Sequence, residues 1–193
     1  MPTRQPMDEP EHSEPPSCCE RPPHDAGAPV LCAHWLDPDR LLTPAQTAWL
    51  NDAAGRVLAI AASRFEIRGE LRARVVNDTT MTDAHKRHCD LDSTTDVLTF
   101  DLSESDHEID TDVLVCLDEA ERRATDLGHT PERELLLYLV HALLHCLGHD
   151  DHDPEAFQAM HALEDQLLTE AGIGATFHAA HAHDARAENG GAA

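Results

Sequence analysis

The stretch ELLLYLVHALLHCLG, residues 134–148, constrains this chain more than any other. Thr130, Pro131 and Glu132 form a helix start, and Gly148 supplies a helix stop. Between them the residues are apolar at most positions, Leu137, Leu143, Leu144 and Leu147 among them, and interrupted by His141 and His145. The apolar run is far shorter than the roughly 18 residues of a membrane span, so the helix belongs to a folded domain. Residues four apart lie on one helix face about a turn apart, which lets both imidazoles reach one metal ion. A third donor just beyond the Gly148 turn would complete three protein ligands and leave a position for water, as in catalytic rather than structural zinc sites. His149, Asp151 and His152 all follow that turn, and spacing favours Asp151, ten residues after His141. Zinc metalloproteases use the same histidine spacing with a glutamate directly after the first histidine as general base. Here that position is Ala142, which disfavours peptide hydrolysis and keeps the metal.

Other elements surround this helix. Thr43, Pro44 and Gln46 read as an N-cap, a first-turn proline and a capping-box partner for a helix running to about Ser63. Leu71, Ala73 and Val75 alternate with Arg72 and Arg74, a strand with one basic face that Asn77 and Asp78 end. DVLTF (96–100) and DVLVC (112–116) are two further strands, able to pair in one sheet across an acidic loop. Leu117 to Leu127 reads as a short helix closed by Gly128, and Asp153 with Pro154 begins a last helix whose Phe157, Met160, Leu163 and Leu167 share a face. The order predicts an α+β fold: a small mixed β-sheet packed against helices, with a metal site on the central histidine-bearing helix. Residues 28–173 are expected to form this domain. Residues 1–27, acidic and holding seven prolines, and residues 174–193, rich in Ala and His, are expected to be disordered.

Charge limits the partners. Fourteen Lys and Arg against 37 Asp and Glu give −23, so non-specific attraction to nucleic-acid phosphate is unfavourable and no DNA partner is expected. Arg64, Arg68, Arg72, Arg74, Lys86 and Arg87 nevertheless fall in one short window. The six cysteines lack a secretion signal or a dense framework, so reduced thiols and a cytoplasmic setting are expected, with no membrane role. The vicinal Cys18 and Cys19 have no second pair at zinc-ribbon spacing.

Four segments, RVVNDTTM (74–81), TDVLTF (95–100), DTDVLVCLDEA (110–120) and ELLLYLVHALLHCLGHDD (134–151), occur in an order and spacing that resemble the YbeY-type endoribonucleases, rRNA maturation factors. The resemblance covers about residues 70–170. It implies a zinc ion, cleavage of single-stranded RNA, 16S rRNA maturation, ribosome quality control, and ribosomal RNA with the small subunit as partners. The family's first two zinc histidines match His141 and His145, and its third, usually histidine, falls on Asp151, with His152 adjacent. His149 stands where the family usually has Tyr and is expected behind the ligands or at the surface. An Arg that the family presents to RNA phosphate aligns with Cys89. Lys86 and Arg87 nearby are the candidate substitutes, the alternative for both being a solvated loop. Two other functions compete: a ribosome-assembly factor whose metal is mainly structural, and a metalloprotease.

Overall fold

The computed structural model describes residues 30–176. In chain order these form β1 (Leu31–Leu36), α1 (Pro44–Phe65), β2 (Arg68–Val76), α2 (Asp78–Cys89), β3 (Val97–Asp101), β4 (Glu108–Cys116), α3 (Leu117–Leu127), α4 (Pro131–Cys146) and α5 (Pro154–Glu170). The strands make one mixed sheet in the order β1-β2-β4-β3. β1 and β2 run parallel, as do β2 and β4, while β3 is antiparallel to β4. This is the expected α+β architecture.

Local chemistry explains most of the elements. The Thr43 hydroxyl accepts from the Gln46 amide at 3.2 Å while the Gln46 side chain accepts from the Thr43 amide at 2.9 Å, which closes the capping box of α1. On β2, Leu71, Ala73 and Val75 are fully buried, and on β4 Ile109, Thr111, Val113 and Val115 point the same way. α4 supplies the largest share of the core, with Leu135, Leu136, Leu139, Leu143 and Leu144 all without solvent contact. A residue with a Cβ at Gly69 would place that atom 1.9 Å from the Ile109 carbonyl oxygen, so the parallel approach of β2 to β4 requires glycine there.

Two elements escape the sequence pattern. β1 is six residues long, too short for its alternation to stand out. α2 buries only Met81 and has no apolar period. It is nucleated instead by Asn77, whose side chain accepts from the Thr80 amide at 2.9 Å. Asn77 and Asp78 do end β2, but by starting a helix. Lys86 and Arg87 therefore sit on the last turn of α2 and not in a loop. The basic face expected of β2 is also corrected: Arg72 donates to Glu70, Asp110 and Asp112, so that face carries interleaved charges.

α2 is fastened to the body through Asp78. Its carboxylate accepts from Arg122 at 2.7 and 2.8 Å, from the Thr94 hydroxyl at 3.2 Å and from the Cys116 thiol at 3.3 Å. The Arg122 bonds are the main reason the Asp78 carboxyl is pulled down to about 2. A carboxyl whose folded pKa lies below its unfolded value stabilises the fold above the unfolded value and loses that contribution as pH falls through the folded one. Arg122→Ala is expected to cost about 1 kcal/mol at pH 7, no more because the pair is substantially exposed. The deficit should vanish near pH 2, which urea midpoints at the two pH values will read.

At the other end, Arg133 donates to the carbonyls of Gly174 at 2.8 Å and Ala175 at 2.7 Å, and the Thr176 amide donates to Asp165 at 2.6 Å. The body thus continues through Thr176. The arm expected at 1–27 and the remainder of the tail expected from 174 lie outside the described residues. Among the described residues, Cys32, Cys89, Cys116 and Cys146 are free thiols, and no helix is long and apolar enough to cross a membrane.

Candidate metal centre

The last turns of α4 present His141 and His145 on one face with their Nε2 atoms 2.9 Å apart. The helix then ends, Gly148 takes φ 82°, and the chain folds back so that Asp151 Oδ2 stands 3.8 Å from His141 Nε2. The three side chains form a group whose donor atoms all lie within 4.8 Å of one another. All three are partly exposed, His141 at 17% and Asp151 at 32%, so solvent and solutes can reach them.

Each imidazole is aimed by a partner on its other nitrogen. His145 Nδ1 lies 3.0 Å from the main-chain carbonyl of His149, which can only accept, so this nitrogen carries the proton. His141 Nδ1 lies 2.7 Å from Oε1 of Glu164, a carboxylate with no solvent exposure on α5. The other oxygen of Glu164 receives His161 Nδ1 at 2.5 Å, and the His161 ring stacks on His141 with centroids 6.2 Å apart. Burial alone would drive the Glu164 carboxyl up, but its bonds to His141 and His161 outweigh burial and hold it below the ordinary glutamate value. Burial likewise pulls the His141 imidazole down, and Glu164 more than offsets this, leaving it above the ordinary histidine value.

The donor set therefore fits a cation. With both Nδ1 positions committed as donors, neutral rings turn two lone pairs toward each other at 2.9 Å. That contact is repulsive unless a proton or a metal ion lies between them. Tetrahedral zinc with Zn–N distances of about 2.0–2.1 Å spaces its donors roughly 3.3 Å apart, and the observed 2.9 and 3.8 Å bracket that value. A histidine ligand whose remote N–H bonds a carboxylate is the usual supporting arrangement of metal sites.

The other expected residues lie outside this group of three. The His149 ring packs edge-on against Phe65, 6.3 Å between centroids, and only its carbonyl touches the histidine pair. His152 is 83% exposed and its ring bonds Asp150, so the structure brings Asp151 to the pair and leaves His152 outside it. Ala142 is fully buried in the core of α4. Lys86 pairs with Asp92 at 2.7 Å, Arg87 is exposed without an ion pair among the described residues, and Cys89 is exposed at the end of α2. Residues 90–96 lead from that helix end to Asp96, whose negative charge raises His141. Glu164 and His161 were not anticipated. The available signal was a glutamate four residues after Met160, in the apolar stripe of α5, where a charge has to be paired.

An α+β body whose buried helix carries two aimed imidazoles, joined by a carboxylate after a glycine turn, defines a histidine-helix protein with a side-chain group that could hold a metal ion. Residues 43–172 match the model of the family described as endoribonuclease YbeY, and the chain belongs to that family. Among its relatives, endoribonuclease YbeY of Mycolicibacterium gilvum is 34% identical over 58% of this chain and 72% of its own. The endoribonuclease YbeY of Staphylococcus epidermidis is 31% identical over 66% of this chain and 90% of its own. That of Parafrankia sp. is 38% identical over 55% and 77%.

Proposed function

We propose that this protein is a zinc-dependent endoribonuclease that cuts single-stranded ribosomal RNA, acting in the cytoplasm in 16S rRNA maturation and ribosome quality control on the small subunit. The observation that carries the reading is the pair of Nε2 atoms facing each other beside Asp151, in a chain of the YbeY endoribonuclease family. His141, His145 and Asp151 would hold the ion. When bound, such an ion polarises a phosphodiester oxygen and lowers the pKa of water to about 7.

The chain's own residues do the rest. Glu164 and the His149 carbonyl keep both rings in the tautomer that offers Nε2. No carboxylate replaces Ala142, so a protease mechanism lacks its base. Arg87, exposed on the last turn of α2 and without an ion pair among the described residues, is the phosphate contact we favour, with Lys86 released from Asp92 as a second. On a chain of net charge −23, RNA is recruited by this local cation and the ion rather than by a general basic field. Cys89, at the position of the family's arginine, favours one other reading, an assembly factor with a structural metal.

The test is cleavage of single-stranded and duplex 16S fragments by zinc-loaded protein. Single-strand cleavage should fall to background in His141→Ala, and Asp151→Ala should lose one ion per chain while His152→Ala keeps it. A protein that retains stoichiometric metal and cuts no RNA is an assembly factor. Loss of the ion in His152→Ala alone would reject Asp151 as the third ligand.

A further inference from the structure

A second group of mixed donors lies on the sheet, away from the histidine helix. Ala33 and Trp35 of β1 pack on the core, which turns the alternate residues Cys32 and His34 to the opposite face. Glu70 of β2 stands there too, in register with Cys32. Cys32 Sγ lies 3.6 Å from His34 Nε2, and that nitrogen lies 3.6 Å from Glu70 Oε2. All three donor atoms fall within 4.8 Å of one another.

These separations are those of a metal-ligand set. Zinc bonds of about 2.3 Å to sulfur and 2.0–2.1 Å to nitrogen and oxygen, at tetrahedral angles, place donors roughly 3.3–3.5 Å apart. The observed distances need only small side-chain adjustments, and His34, 55% exposed, is free to make them. Glu70 is already oriented. Its Oε1 receives Arg72 Nη1 at 2.6 Å, and Arg72 is itself held by Asp110 and Asp112, which leaves Oε2 turned toward His34.

We propose that Cys32, His34 and Glu70 form a second cation site for a thiophilic divalent ion such as zinc, with its fourth position open to water, clipping edge strand β1 to β2. One thiolate, one imidazole and one carboxylate select zinc over magnesium or calcium, which prefer oxygen donors alone. Binding transfers the Cys32 thiol proton to solvent and ends its weak donation to the Gly69 carbonyl, 3.6 Å away. Because the donors come from two strands, the ion binds the folded sheet and adds to its stability.

The experiment uses full-length protein carrying His145→Ala, so that the helix site is silent. Cobalt(II) titration should give a thiolate-to-cobalt charge-transfer band saturating at one equivalent, absent when Cys32→Ser or His34→Ala is added. Zinc should slow alkylation of Cys32, read on its own peptide, by about tenfold or more, and His34→Ala should abolish that protection. Far-UV circular dichroism confirms that each variant is folded, and exposed His34 tolerates alanine even if Cys32→Ser does not. No band, a band that survives both substitutions because other cysteines hold the ion, or Cys32 alkylation indifferent to zinc overturns the proposal.

Discussion

His145→Ala is expected to strip the helix site of its ion and reduce RNA cleavage to background, whereas His149→Ala should retain both. The two residues are four apart and both touch the site, but through different atoms. His145 offers Nε2, 2.9 Å from the matching atom of His141. His149 contributes only its main-chain carbonyl, which alanine keeps. Its ring packs on Phe65, so the substitution should cost some local packing and little metal. Ion content is best read on a Cys32→Ser background, where the proposed sheet site cannot contribute. Equal losses in the two variants would mean that the His149 ring is a ligand.

Glu164→Gln should weaken metal binding by about 10- to 100-fold, the usual cost of altering a group that orients a ligating histidine. Glutamine preserves volume in a position with no solvent exposure, so the core around Met160, Leu167 and Leu168 should stay packed. What changes is charge. The ionised carboxylate accepts from His141 at 2.7 Å and His161 at 2.5 Å, while an amide accepts at its one oxygen only and turns an N–H toward the other ring, whose Nδ1 must then give up its proton. Chelator competition measures the affinity. An affinity within about twofold of wild type would mean that His141 is oriented by packing alone.

How far the sequence could be read depended on whether its signals were local. The α1 capping box, the β2 alternation and the Gly148 turn each lie within a few residues, and each appears in the structure where expected. α2 could not be read from periodicity because it buries only Met81; its one local signal is the Asn77 cap, and it is fastened to the body by Asp78 meeting Arg122, 44 residues away. The basic window was legible as a run but not as a surface. Arg64 goes to Glu170, Arg72 to three carboxylates and Lys86 to Asp92, which leaves Arg68, Arg74 and Arg87 without ion pairs among the described residues. In the candidate site, His141, His145 and Asp151 share one short segment and were visible by spacing, whereas Glu164 reaches them from the next helix. Of the face expected of α5, Met160 and Leu167 are buried while Phe157 and Leu163 are only partly so, and the buried stripe also takes in Glu164, Asp165 and Leu168.

The two histidines differ in how their rings are held, and this makes them unequal as objects of selection. His141 is steered by a side chain, so a single codon change at Glu164 can retune its basicity and, with it, the grip on the ion. His145 is steered by a peptide carbonyl, which every residue at 149 supplies. The aim of one proposed ligand is therefore adjustable in small steps and that of the other is buffered against them. Drift at 149 costs packing on Phe65 but leaves the His145 ring aimed, while Glu164 is a position from which the affinity of the proposed site can be set.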